Sequence, residues 1–301
     1  MKNLFFLAGL FLLAASCSTE TVDDVMNENA LAPVTVSVND FSVTQAEFPG
    51  GTAQGTTRAT AVGSYSGVQK LTLAFYKNDG TETYKATHTK GSMPVGDTFG
   101  EFSTSLPIGS YTMVVLGYVL YDDDELTLTS PTQAEYTGGY PRETFSATQT
   151  VNVTSTTALN LSATLNRIIA CLQVISTDGR TANVNKVRMT FSAGGKQFSP
   201  TSGLTTVNTG SVSTVGVSAT EGTTSTSTGF VFLATDEQTM NVTIETLDGG
   251  GNTIYTKTVE NVPFKRNRRT KLTGAIYGAN AAAGSFQVNT DWLDEEDPIN
   301  F

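Results

Sequence analysis

The chain has 301 residues, a formal net charge of −10 at pH 7 and a sequence pI of about 4.6. This acidity argues against nucleic acid or an anionic lipid surface as a partner, because both repel a negatively charged protein. The sequence contains 50 threonines and 28 glycines. Threonine is β-branched and polar, so it suits the solvent face of a strand better than the interior of a helix, and the composition predicts an all-β protein.

The first 16 residues have the pattern of an export signal. Lys2 precedes an apolar run at residues 4–13, which is too short to span a bilayer that needs about 20 residues. The small residues Ala-Ala-Ser at 14–16 lead directly to Cys17. This pattern resembles the lipobox of bacterial lipoproteins. The resemblance implies that residues 1–16 are removed and that Cys17 becomes the lipid-bearing first residue, carrying diacylglycerol and palmitate; ordinary secretion and an uncleaved anchor remain alternatives.

The mature chain begins with a tether and a candidate first strand. Residues 17–33 are acidic and lack periodicity, as expected of a segment that spaces a domain from a membrane. Alternation then begins, and Val34, Val36 and Val38 predict the apolar face of a strand. The stretch 44–67 has no apolar period and is longer than compact domains usually tolerate in a loop.

From Val68 onward, short apolar segments recur about every 8–12 residues with turn residues between them. No helical period of useful length interrupts them. This spacing predicts β-sandwiches with Greek-key connections. We expect two of them, an N-terminal sandwich over residues 34–155 and a C-terminal sandwich over residues 156–301.

If Cys17 is lipidated, Cys171 has no disulfide partner, because the sequence contains two cysteines. Cys171 lies in the apolar run "RIIACLQV", which predicts a small buried side chain rather than a reactive thiol. The mature fold must therefore be held by its core.

No local pattern marks a catalytic or metal site. The single histidine, His88, lies in the polar stretch "KATHTKG" and is expected to be an exposed bystander. The acidic runs at 122–125 and 294–297 lack EF-hand spacing, so they are expected to be solvated loops, with calcium at Asp122 to Glu125 left open. The basic stretch "KRNRRTK" at 265–271 is expected to be a turn with exposed arginines. We expect no metal and no cofactor.

Several segments in order carry a family resemblance: "TTRAT" (56–60), "LTLAFYKNDG" (71–80), "SLPIGSYTMVVLGY" (105–118), "LNRIIACLQV" (165–174) and "VENVPFKRNRRTKLTGAIY" (259–277) followed by "FQVNTDW". Together with the lipid signal they resemble the fimbrillin superfamily of Bacteroidetes. The resemblance implies two tandem transthyretin-like Greek-key β-sandwich domains in an outer-membrane lipoprotein of a fimbrium. It also implies that a trypsin-like protease cuts behind the first strand, and that a strand of a neighbouring fimbrial subunit replaces it.

Arg58 fits such a processing site, because it is the only basic residue between Cys17 and Lys70 and lies inside the long 44–67 stretch. The exchanged first strand would carry Val34, Val36 and Val38. Phe286, Val288 and Trp292 share one face of "GSFQVNTDW" and could form the donated strand or close their own domain.

The favoured function is a non-enzymatic fimbrial subunit for cell adhesion, with host or bacterial surfaces as further partners and with anchor, stalk and tip roles open. An alternative is a surface glycan-binding lipoprotein that presents aromatic residues to sugar rings. Its candidate residues are Tyr118, Tyr121, Tyr136 and Tyr140. A hydrolase with a carboxylate pair that is distant in sequence is the third hypothesis.

Overall fold

The computed structural model describes residues 30–43, 58–65, 67–119, 126–137, 139–278 and 285–289, and only the backbone of residues 39–43 and 58–61. These residues form strands and turns without a helix, so the predicted all-β class is confirmed. No helix in the described ranges is long and apolar enough to cross a membrane. The strands in chain order are β1 (Leu31–Val43), β2 (Arg58–Ala61), β3 (Lys70–Lys77), β4 (Glu82–Thr89), β5 (Glu101–Pro107), β6 (Gly109–Tyr118), β7 (Leu126–Ser130), β8 (Gln133–Tyr136), β9 (Thr144–Val153), β10 (Leu159–Arg167), β11 (Ala170–Ser176), β12 (Lys186–Phe191), β13 (Gln197–Phe198), β14 (Ser211–Gly216), β15 (Thr226–Val231), β16 (Glu237–Leu247), β17 (Thr253–Lys265), β18 (Arg269–Gly274) and β19 (Gln287–Asn289).

The first sandwich is one sheet that folds over on itself. Its strand order is β2-β1-β10-β9-β6-β3-β4, with β5 also paired to β1. β9 and β10 pair only through Phe145 and Ser146 with Arg167 and Asn166, and they diverge elsewhere. The β4-β3-β6-β9 part therefore faces the β10-β1-β5 part across a first apolar cluster that contains residues of β1, β3, β5, β6, β9 and β10.

The second sandwich has two four-stranded sheets, ordered β15-β11-β18-β19 and β14-β12-β16-β17. A second apolar cluster with residues from both sheets fills the space between them. The predicted boundary near residue 155 falls between β9 and β10. Because β10 pairs in parallel with β1 and contributes Ala163 and Leu165 to the first cluster, the chain passes to the second sandwich after Arg167.

A third apolar cluster lies between the two sandwiches. In β3 and β6, alternate residues point to the first and third clusters, as Leu73 and Ala74 do. In β11, Leu172 points into the second cluster and Cys171 into the third. This follows from the two-residue side-chain period of a strand, and it explains why β3 and β6 are buried on both faces.

A small sheet, β13-β8-β7, closes the third cluster. β8 from the first half of the chain pairs with β13 from the second half. Phe198 of β13 stacks on Phe232 with ring centroids 4.1 Å apart, and Tyr136 of β8 lies 6.4 Å from Phe232. The two sandwiches are thus joined by buried aromatic rings and a shared sheet.

Substitution Phe232→Ala tests this junction. Phe232 is fully buried, and we expect its truncation to lower the free energy of unfolding by about 3–5 kcal/mol because it leaves a cavity between stacked rings. Denaturant titration would measure the loss. The control Val95→Ala, at a fully exposed side chain, should change stability by no more than about 0.5 kcal/mol. Equal losses in the free energy of unfolding for the two substitutions would contradict a stabilising role of the third cluster.

Candidate functional site: the first strand and its surroundings

β1 is hydrogen-bonded along both of its edges. It runs parallel to β10 from Val34 to Ser42 and antiparallel to β5 from Leu31 to Ser37. Past Ser37, β2 takes over the edge that β5 leaves and pairs with residues 40–43 of β1. β1 is therefore a central strand and not an edge strand.

The predicted apolar face of β1 is buried. Val34, Val36 and Val38 are each at most 2% exposed, and they pack into the first cluster together with Ala32. Burial of a valine side chain contributes about 1.5–3 kcal/mol, so this row is a substantial part of the core of the first sandwich. Loss of β1 would open an apolar groove bordered by the free edges of β10 and β5.

Arg58 is the first residue of β2, and its backbone pairs with Val43 of β1. A strand inside the predicted 44–67 loop is a correction to the sequence analysis. "RATA" is short and alternates only through the small residues Ala59 and Ala61, and its structure comes from backbone pairing with β1, which the sequence does not reveal. A protease binds an extended, unpaired segment, so cleavage after Arg58 requires β2 to open first. Residues 44–57 lie outside the described residues.

A buried polar network fixes the chain just after β2. The hydroxyl of Tyr65 donates to Oε1 of Glu143 at 2.9 Å, and Nε of Arg167 donates to the same oxygen at 2.7 Å. Arg167 also donates to the Tyr65 hydroxyl at 3.2 Å and to Oδ1 of Asn267 at 3.0 Å. Its guanidinium lies 5.0 Å from the ring centroid of Phe145. The network therefore joins the segment after β2, β9, β10 and the turn between β17 and β18.

The network is dry. The Glu143 and Arg167 side chains are 2% and 10% exposed. Burial raises the pKa of Tyr65 to about 12, and the nearby Glu143 carboxylate adds to this effect. Tyr65 therefore stays protonated and continues to donate its hydrogen bond throughout the neutral range.

The predicted donor segment is described only in part. β19 pairs with β18 through Lys271 to Thr273 at the edge of its sheet. Phe286 is half-buried and packs against the second cluster, whereas Val288 is 44% exposed. Trp292 lies outside the described residues. β19 is thus a short edge strand with one apolar side chain turned to solvent.

Other predicted residues have different fates. Cys17, the acidic runs at 122–125 and 294–297 and Tyr121 lie outside the described residues. Cys171 is free and 2% exposed, and burial raises the pKa of its thiol to about 12, which confirms the prediction of a buried, unreactive side chain. No group of three or more His, Cys, Asp or Glu side chains that could hold a metal ion occurs in the described part of the chain.

His88 is not the exposed bystander that the sequence analysis expects. Its ring stacks on Phe102 of β5, with centroids 3.8 Å apart, and burial lowers its pKa. The polar residues that flank His88 in the sequence do not indicate this contact, because β4 and β5 come together only in the folded protein.

Three of the four tyrosines proposed to bind sugars, Tyr118, Tyr136 and Tyr140, lie in the described part of the chain, and they do not form one exposed aromatic surface. Tyr118 and Tyr136 are 3% and 0% exposed and belong to the third cluster. Tyr140 is half-buried, and the guanidinium of Arg142 lies 5.5 Å from its ring centroid. The strand positions of Tyr118 and Tyr136 place them between the sandwiches, so the described residues do not support the predicted glycan platform.

A family model matches residues 35–299, which is nearly all of the chain after the tether. The chain belongs to DUF6562, a family of unknown function. No curated protein matches this DUF6562 chain.

Solved structures similar to the DUF6562 chain include three Bacteroidetes surface proteins. A candidate adhesin from Bacteroides ovatus has a TM-score of 0.48 and 10% identity, covering 83% of this chain and 88% of the other. The fimbrial anchor protein Mfa2 from Porphyromonas gingivalis has a TM-score of 0.48 and 12% identity, covering 87% and 98%. The tip fimbrial protein Mfa3 from the same organism has a TM-score of 0.37 and 10% identity, covering 87% and 100%. Each of these three TM-scores lies below 0.5.

The Glu143–Arg167 pair can be tested by removing only its negative charge. Glu143→Gln should lower the free energy of unfolding by about 3–5 kcal/mol, because Arg167 is then buried without a counter-charge. Glu82→Gln is a matched control, since the Lys85–Glu82 pair is largely solvated, with side chains 33% and 41% exposed. Its loss should cost at most about 1 kcal/mol. Equal costs in chemical denaturation would contradict the role of burial.

Proposed function

We propose that the chain is a non-enzymatic fimbrial subunit for cell adhesion whose precursor is held at the outer membrane by a lipid on Cys17. It assembles by donor-strand exchange. Cleavage after Arg58 frees residues 17–58, which include β1, and a strand from a neighbouring subunit takes the place of β1.

The position of β1 is the observation that carries this proposal. β1 supplies an apolar row to the first cluster and satisfies backbone groups of β10 on one edge and β5 on the other. A groove left by β1 would therefore expose apolar side chains and two rows of unpaired backbone groups, both of which are costly in water. An extended segment with alternating apolar residues can cover the apolar side chains and pair with both rows of backbone groups. Addition of such a strand is a common mode of peptide recognition.

The positions of Arg58 and Tyr65 support a cleavage that releases residues 17–58 and leaves the chain from Ala59 onward folded. Six acidic residues and no basic residue lie between Cys17 and Arg58, so a protease specific for basic residues has no earlier site there. On the other side of the cut, Tyr65 is held by Glu143 and Arg167. After cleavage the chain would begin at Ala59, and Tyr65 would still hold this short new terminus to Glu143 and Arg167.

The central position of β1 also determines how exchange must proceed. Spontaneous release would break two ladders and expose Val34, Val36 and Val38 at once. An incoming strand that enters from one end of the groove replaces these contacts one residue at a time, so exchange is far less costly than dissociation. The segment with Phe286, Val288 and Trp292 has suitable alternation for the donor, and β19 is held at only one edge of β18.

Arg58→Gln tests the processing step. Limited trypsin treatment of the native precursor should produce a fragment that begins at Ala59, together with oligomers, and both should be lost in Arg58→Gln. Lys90→Gln, which removes an exposed basic residue in a turn, should leave both unchanged. N-terminal sequencing and size-exclusion chromatography measure the two outcomes. A wild-type precursor that stays intact at Arg58 and forms no oligomers would overturn the exchange proposal.

Cys17→Ser tests the anchor separately. We expect the wild-type protein to incorporate labelled palmitate and partition into the detergent phase, because dual or triple acylation gives stable membrane attachment. The variant should remain in the aqueous phase without label. Equal partitioning of the two proteins would contradict the lipid anchor and leave the exchange test unaffected.

A further inference from the structure

A pocket of about 330 Å³ opens at the end of the second sandwich, where β17 turns into β18. It is lined by the beginning of β16, the end of β17 and the beginning of β18. Its basic residues are Lys265, Arg268 and Arg269, all from "KRNRRTK". The sequence predicts exposed arginines here, but Arg269 is only 5% exposed, which corrects that expectation.

Arg269 is a buried cation without a counter-charge among the described residues. Its Nε atom is buried and has no hydrogen-bond partner. The side-chain contact that it does make is with the thiol of Cys171, its register partner on β11, and burial keeps this thiol protonated and neutral. A guanidinium out of water carries a large desolvation cost unless an anion or several oxygen acceptors surround it.

The carboxylates around the pocket are already engaged. Glu237 accepts from Lys265 at 2.5 Å, and Asp236 accepts from Arg266 at 2.7 Å. Glu143 is bound by Arg167 at 2.7 Å. Among the described residues, these three carboxylates are therefore paired with cations other than Arg269.

Arg268 is a second guanidinium group at the pocket. Burial and the neighbouring charge of Arg167 lower its pKa to about 10, so it remains a cation at neutral pH in surroundings where positive charges repel each other. Its NH1 group donates to the carbonyl oxygen of Asn267 at 2.8 Å. The lining thus brings together two desolvated guanidinium groups, which suits the binding of an oxyanion.

We propose that this pocket binds an oxyanion, with Arg269 as the principal contact and Arg268 and Lys265 at its rim. The planar guanidinium fork matches the two oxygens of a carboxylate, sulfate or phosphate. The volume is at the lower end of the range for small-molecule sites and exceeds the space of a bare ion. The site therefore takes an oxyanion carried on a small body, such as a phosphate monoester, a sulfate ester or an acidic sugar.

Thermal unfolding of the full mature chain with sodium phosphate, sodium sulfate or sodium glucuronate tests the site, with ionic strength held constant by sodium chloride. A specific site gives a saturable rise in Tm of a few degrees at concentrations well above Kd. Arg269→Gln should weaken the response at least tenfold. Arg266→Gln removes the same charge from the same turn at a solvated pair and should keep the wild-type response.

Because Arg269 is buried, Arg269→Lys provides a second variant that keeps the charge. It should fold with the wild-type circular dichroism spectrum and retain a weakened response. A response that is equal in wild type and Arg269→Gln would overturn the proposal, since the anion would then be acting on overall charge. Absence of any response to the anions in the wild-type protein would also overturn the oxyanion site.

Discussion

Glu143 and Arg167 meet where the chain leaves the first sandwich and enters the second. Arg167 ends β10 and Glu143 immediately precedes β9, so their contact fixes the only place where these strands pair. The guanidinium also reaches Asn267 in the turn between β17 and β18, which belongs to the second sandwich. A buried ion pair is costly if either partner is removed. The relative placement of β9, β10, Tyr65 and the β17–β18 turn therefore depends on this one contact.

The three apolar clusters complement that polar contact. Successive residues of β3, β6 and β11 alternate between clusters, so that each strand belongs to two cores at once. The contact between the sandwiches therefore includes an apolar cluster in which Phe198 is stacked on Phe232.

Much of the fold follows from local sequence patterns, and the rest depends on contacts between distant residues. Val34, Val36 and Val38 form a buried face as their alternation predicts, and short strands with turns between them follow one another from β3 onward, as the spacing of apolar segments predicts. Alternation does not tell which strands become neighbours, so the sequence did not predict that β1 is central. β2 forms because β1 is beside it, since a run of four residues with alanine as its apolar residue is too weak a pattern to predict a strand.

Three side chains have contacts that the sequence did not predict, and the physical reason is the same for each. Arg269, His88 and Tyr136 lie in polar or mixed stretches, and each is covered by a strand that is distant in sequence. Arg269 faces Cys171, His88 faces Phe102, and Tyr136 lies near Phe232. Exposure of an isolated strand position is decided by what packs on it, and local composition does not record that. The oxyanion pocket was hidden for this reason inside a stretch that resembled a solvated basic turn.

The parallel pairing of β1 with β10 has a consequence for the order of folding. Val34 pairs with Leu159, so the ladder joins segments that are separated by most of the first half of the chain. Such high contact order makes folding slow, since a long loop must be closed before its contacts stabilise anything. The first sandwich cannot be completed until β10 has been synthesised. A chain whose first sandwich is still unfolded during synthesis could pass in extended form through a narrow channel, as export requires.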